Sequence, residues 1–143
     1  MTRLYLSVLL LLILLSSCSK DFLKRYDDRI EGGEWTIVDI NRPNGGSFDR
    51  LPFREGDRFS FYDDGTIRYV PAAGGIYEGT WDIIKKWNIR TEDRVNTLTV
   101  SAADFMTQDV RAGYFDEIRF TGTNRFVAYM YDGWRVFKFR FRR

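Results

Sequence analysis

The chain has 143 residues, 22 of them basic and 20 acidic, with no histidine and one cysteine. Without histidine or a second thiol, Ser-His-Asp and Cys-His nucleophile systems are excluded, internal disulfides are impossible, and zinc or copper sites lose their usual ligands. The near-neutral charge also argues against general nucleic-acid binding, which needs a basic face to displace counterions.

Arg3 precedes an apolar run from Leu4 to Leu15. About a dozen residues suit a signal-peptide core and are too few to cross a bilayer core of about 30 Å as a helix. The quartet Leu15-Ser16-Ser17-Cys18 resembles a bacterial lipobox. That resemblance implies a cleaved lipoprotein signal peptide, residues 1–17, and acylation of the Cys18 thiol and its new amine. Palmitate-like chains, at roughly 0.8 kcal/mol per buried CH₂, then hold a soluble domain on a membrane. An ordinary secretory signal with a stray thiol, or a short membrane anchor, is the alternative, although a leftover free cysteine is awkward in an exported protein. Ser19 after the cysteine favours the outer membrane. Ser19-Lys20-Asp21 resembles a surface-export signal that Phe22 interrupts, so periplasm-facing and cell-surface positions both stay open. Cleavage leaves 126 residues with 21 basic and 20 acidic side chains, enough for one domain with a real core. Residues 18–31, charged and aperiodic, read as a lipidated tether, and residues 32–143 as the domain.

From Gly32 onward the chain reads as short alternating runs between turn residues. Glu34 to Ile40 is a first strand. Asn41 to Gly56 is a long loop with Pro43, Asn44-Gly45-Gly46 and Pro52. Arg58 to Tyr62 and Thr66 to Val70 form a hairpin around Asp63-Asp64-Gly65. Ile76 to Trp87 has the clearest period of two, with Tyr77, Gly79, Trp81 and Ile83 on one face. Gly79 between two large rings predicts a bend or a close packing contact. Thr97 to Ala103 repeats the alternation. Asp104 to Gly113 is ambiguous and accommodates a short helical turn. Phe115 to Phe120 places Ile118 and Phe120 on one side, and Gly122-Thr123-Asn124 turns the chain. Arg125 to Tyr131 and Trp134 to Arg142 make a last hairpin around Asp132-Gly133, with Phe137, Phe139 and Phe141 facing one way.

Eight successive strands with one apolar face each must bury that face and deal with sheet edges. An eight-stranded antiparallel up-and-down β-barrel does both, and a two-sheet sandwich is the alternative. Gly33-Glu34-Trp35, the long first loop and Tyr77-Glu78-Gly79-Thr80-Trp81 together resemble the lipocalin (calycin) group, specifically lipocalin-like bacterial lipoproteins. The resemblance implies a lid where the first loop lies. It also implies a last-strand arginine, Arg140 or Arg142, packed across Trp35 as a structural signature with Gly33.

Glu78 and Asp82 are two acids on one strand face, opposite Tyr77 and Trp81. Solvated wall carboxylates are the simpler reading than an acid–base pair, and no enzyme activity is expected. Asp63-Asp64-Gly65 lacks calcium-loop spacing. No phosphate loop or dinucleotide fingerprint occurs, and no cofactor is expected. The apolar face carries the functional expectation. Ile67, Tyr69, Tyr77, Trp81, Leu98, Val100, Ile118, Phe120, Phe126, Met130, Phe137 and Phe139 should point inward. They line a pocket for a small hydrophobic ligand if the barrel is hollow, with tyrosine hydroxyls as polar anchors. If it is filled they are the core. Trp87, Tyr114, Tyr131 and Trp134 then remain as surface aromatics for a glycan or protein partner.

Overall fold

The computed structural model describes residues 25–42 and 50–143. Cys18 and the expected signal peptide lie outside the described residues, as do positions 43–49 of the first loop. A short helix, α1 (Tyr26–Ile30), precedes eight strands: β1 (Glu34–Asn41), β2 (Arg58–Phe61), β3 (Thr66–Val70), β4 (Tyr77–Asn88), β5 (Asp93–Asp104), β6 (Asp109–Gly122), β7 (Arg125–Asp132) and β8 (Arg135–Arg142). Each strand pairs antiparallel with its sequence neighbour, and β8 returns to pair with β1, with Ile37 opposite Phe141. That last pairing closes the sheet into a barrel, so no edge is left open.

Alternation of apolar and polar residues sets which side chains turn inward. On β8, Phe137, Phe139 and Phe141 are buried between outward Lys138, Arg140 and Arg142. On β2 and β3, Phe59, Phe61, Ile67 and Tyr69 are buried in the same way. The β2–β3 turn is tied by Asp64, whose Oδ1 accepts from the Thr66 amide (2.8 Å) and hydroxyl (2.6 Å). Those bonds hold the Asp64 carboxyl below the usual carboxylate range, and Gly65 takes a positive φ beside it.

Three stretches refine the sequence expectation. The ambiguous segment after Asp104 holds a single helical turn, the Gln108 amide donating to the Asp104 carbonyl at 2.8 Å, and its second half is strand. β5 runs to Asp104, the chain turns over 105–108, and β6 starts at Asp109. Asp104 makes that turn, its Oδ1 accepting from the Met106 amide at 2.9 Å. Ile118 and Phe120 share one side as expected, opposite buried Ala128 and Phe126. The β5–β6 register slips by one between Asn96 and Leu98, which brings Phe115, three residues before Ile118, onto that buried side as well. Phe120 sits half-buried at the rim. The stretch read as tether also contributes to the barrel. Ile30 of α1 is fully buried, and Tyr26 meets the Phe120 ring edge-on at 5.3 Å.

The first-strand tryptophan organises this end. Its Nε1 donates to the Ile30 carbonyl at 2.6 Å, which fixes α1 over the barrel. The arginine across its face is Arg143, with its guanidinium carbon 4.7 Å from the ring centroid. Arg140 does not take that role. It points outward and pairs with Asp39. Arg143 continues into three backbone carbonyls, those of Glu31 (2.9 Å), Gly32 (3.4 Å) and Thr123 (3.1 Å). Gly33 is small for this reason: a Cβ there would collide with the Arg143 side chain. We expect Arg143→Ala to lower unfolding stability by about 1–2 kcal/mol, as charge-assisted bonds and a cation–π contact are lost. Arg140→Ala should cost less than about 1 kcal/mol, as for an exposed ion pair. Urea denaturation of both variants checks the assignment, and the reverse order would overturn it.

Candidate functional site: the barrel interior and its plug

Closing eight strands leaves a cylinder whose filling depends on the residues that face inward. On the β4–β6 wall three of those positions are small. Gly79 pairs with Ala102, and Gly113 pairs with Val100 on the same face. At Gly79 the smallness serves strand approach, because a Cβ would run into the Ser101 carbonyl and the Ala102 backbone. At Gly113 it serves a side chain from elsewhere: the Phe53 ring lies where a Cβ would be.

Phe53 belongs to the long connection between β1 and β2. Its ring is fully buried and contacts Phe59 (5.0 Å), Tyr69 (5.3 Å) and Phe115 (5.8 Å). The connection expected as a lid thus inserts one of its own side chains into the barrel, and Leu51 is buried beside it. Ring contacts then run through the molecule. Phe115 meets Phe141 at 5.9 Å, Phe141 stacks on Phe126 at 4.2 Å, and Phe126 meets Trp35 at 4.8 Å. Edge-to-face and offset pairs of this kind add about 0.5–1.5 kcal/mol each beyond area burial.

Of the residues expected to line a pocket, Ile67, Tyr69, Tyr77, Phe126, Phe137 and Phe139 are buried in this lattice, and Trp81 and Met130 pack half-buried at its margin. Trp81 Nε1 donates to the Tyr62 carbonyl at 3.0 Å. The tyrosine hydroxyls, expected as anchors for a ligand, are committed within the protein. Tyr69 donates to buried Asp57 Oδ2 at 2.7 Å, and Tyr77 donates to Asp109 Oδ2 at 2.7 Å. Asp57 also accepts from the amides of Arg54 (2.8 Å) and Ala72 (2.9 Å). One carboxylate therefore ties the plug-bearing connection, the end of β3 and the β3–β4 loop together. Burial raises the Tyr69 phenol well above the usual tyrosine range, and the hydrogen bond to Asp57 and its charge add to this. The Asp109 carboxyl is held low, first by the Tyr77 hydroxyl and then by Arg111.

Sequence reasoning missed Leu51, Phe53 and Asp57. The available signal was the row of small inward residues at Gly79, Ala102 and Gly113, a gap that some other segment had to fill. Glu78 and Asp82 are exposed on the outer wall. Among the described residues no group of three or more acidic, histidine or cysteine side chains is placed to hold a metal ion.

Grooves are found on the outer wall, one of about 530 Å³ flanked by Thr80, Asp82, Ser101 and Tyr114. Lys86 Nζ donates to the Tyr114 hydroxyl at 3.1 Å, and Asn88 Nδ2 to that of Tyr131 at 3.4 Å. These two surface tyrosines are already in use. Exposed apolar side chains gather instead on connections. Phe105 and Met106 (92% exposed) occupy the β5–β6 turn, and Trp134 (68% exposed) the β7–β8 turn. In an up-and-down ring both turns lie at the end opposite α1. Comparison with protein-family models, curated proteins and solved structures finds no match.

The Tyr69–Asp57 pair predicts an alkaline limit. Folded Tyr69 keeps its proton to higher pH than the unfolded chain, whose tyrosines titrate near about 10. Its contribution is complete below that pH and is lost as pH rises toward the raised folded value. Stability measured from about pH 8 to 11 should fall more steeply for the wild type than for Tyr69→Phe. Parallel slopes would remove Tyr69 as the cause.

Proposed function

We propose that this chain is a lipoprotein anchored through Cys18, whose solid lipocalin-like barrel is a non-enzymatic interaction module for a protein partner. The observation that carries the reading is the Phe53 ring seated on Gly113 among Phe59, Tyr69 and Phe115. A small apolar ligand in that place has to displace the ring. Removing a core phenylalanine typically costs about 3–5 kcal/mol, which such a ligand would have to offset. The polar groups that would orient a ligand are satisfied by Asp57 and Asp109. The lipocalin likeness draws support from Arg143 stacked on Trp35 beside Gly33.

The partner contacts fall to the connections at the end away from α1. Phe105, Met106 and Trp134 are large, exposed and serve no packing role there. Aromatic residues and methionine are enriched at protein interfaces, and methionine adapts its shape to the surface it meets. The adaptable thioether of Met106 also suits a protein surface better than a sugar ring.

Three measurements test the parts separately. Native mass spectrometry of the protein from its own host should show no lipid-sized companion, and a fluorescent fatty acid should not bind saturably. Phe53→Ala should create an apolar cavity and gain probe binding. A stoichiometric lipid on the wild type would return the barrel to the carrier reading. Cys18→Ala should abolish palmitate labelling and release the protein from membranes, and persistent labelling defeats the anchor. A photo-crosslinking residue at position 106 or 134 should give a discrete protein adduct in cells. One at position 78, on the outer wall, should give none. Equal labelling at all three positions would defeat the proposed partner surface.

A further inference from the structure

The β4–β5 hairpin runs past the rim of the barrel. β4 and β5 pair from Glu78–Ala103 to Asn88–Asp93, whereas β3 leaves β4 at Thr80. Past Trp81 and Ile83, which still pack against the core, the same face of β4 continues to Lys85 and Trp87, both exposed. Trp87 is 64% exposed and Ile89, in the turn, 84% exposed. An apolar pair projecting like this gains nothing in water.

The surrounding charge is basic. Residues 84–94 hold Lys85, Lys86, Arg90 and Arg94 against Glu92 and Asp93. Lys86 is held over the Tyr114 ring at 5.1 Å and Arg90 over the Tyr131 ring at 4.6 Å. Neutral rings position these cations and leave their charge uncompensated. Among the described residues none of the four basic side chains pairs with a carboxylate.

The hairpin lies at the end of the barrel that carries α1. Tyr26 of α1 and Thr91, Asp93 and Arg94 of the hairpin flank one groove. Seven residue steps separate Arg25 from Cys18, a maximum reach of about 25 Å for extended chain. A barrel held by acyl chains on Cys18 therefore keeps this end close to the lipid surface. Tryptophan prefers the membrane–water interface, and lysine and arginine are drawn to anionic headgroups.

We infer that the β4–β5 hairpin tip, with Trp87 and Ile89 flanked by Lys85, Lys86, Arg90 and Arg94, inserts into the headgroup layer of an anionic phospholipid bilayer. It is a second membrane contact that fixes the orientation of the barrel. The inference rests on the acyl-anchor reading of Cys18 for the proximity of the bilayer. It goes beyond that reading by assigning a protein surface to the lipid. With the hairpin end down, the Phe105, Met106 and Trp134 connections face away from the membrane.

The test uses the mature protein reconstituted in vesicles of phosphatidylethanolamine and phosphatidylglycerol, part of them with brominated acyl chains, which quench tryptophan by contact. Wild-type emission should be quenched. Trp87→Phe should abolish most of that quenching, and Trp134→Phe should leave it in place. Lys85→Gln/Lys86→Gln should shift the inserted-to-withdrawn equilibrium by roughly thirtyfold, about fivefold per cation, and high salt should act in the same direction. Because Trp87 is solvent-exposed, Trp87→Phe should fold normally. Unquenched emission from vesicle-bound protein, or equal quenching in Trp87→Phe, overturns the inference. Intact mass reads acylation of Cys18 separately. An acylated protein with unquenched Trp87 defeats the hairpin contact alone. A bare Cys18 with Trp87-dependent quenching defeats the anchor and leaves the hairpin contact standing.

Discussion

A ring of eight strands encloses a volume that side chains have to fill, because an apolar void forfeits the dispersion contacts that close packing supplies. Here much of the wall is lined by large rings, but the β4–β6 side carries Gly79, Ala102 and Gly113 where bulk would be needed. Gly79 cannot be larger without driving β4 away from β5. The filling therefore comes from outside the sheet, as the Phe53 ring of the β1–β2 connection. Asp57, four residues after Phe53 in the same connection, holds the arrangement by accepting from the Tyr69 hydroxyl and the amides of Arg54 and Ala72. A buried carboxylate is tolerated there because three donors meet it.

The other end is closed by different chemistry. Trp35 is buried beneath the guanidinium of Arg143, and its indole N–H meets the carbonyl of Ile30. Arg143 links the chain before β1 to the β6–β7 turn through carbonyls of Glu31, Gly32 and Thr123. Arg29 adds a contact over Phe120 at 4.2 Å. The planar, multidentate arginine head suits this task, since several acceptors lie around it at fixed positions. One end of the barrel is thus sealed by an aromatic plug on a buried carboxylate, and the other by a tryptophan under an arginine.

The eight strands were legible because period-two alternation survives wherever one face is buried. Ile67, Tyr69, Phe126, Phe137 and Phe139 follow directly from it. Two kinds of feature were hidden. The bulge in β6 shifts the inner face from Phe115 to Ile118 across three residues, and no local residue announces it. Phe53 and Asp57 lie in a connection, where periodicity carries no information, and their partners are far apart in sequence. The choice of Arg143 over Arg140 depended on where the β1–β8 register ends, since Arg140 faces outward opposite Asp39. Residue type identified the arginine–tryptophan contact, but only the closed register could say which arginine makes it.

Packing and surface chemistry converge on the connections. A wall built of mutually satisfied rings and hydrogen bonds offers a rigid frame, and on such frames recognition usually falls to the connecting segments. Two sets of connections here are apolar in different ways. Phe105, Met106 and Trp134 stand without a belt of cations in their own turns, apart from Arg135 beside Trp134 at 5.4 Å. Trp87 and Ile89 stand among four cations that neutral tyrosine rings help to position. Charge decides what each set can face. A cationic, aromatic tip gains from anionic headgroups, whereas an apolar turn with little charge gains most from another protein surface. Because the barrel holds the two sets at opposite ends, contact of one with a membrane leaves the other free for a partner.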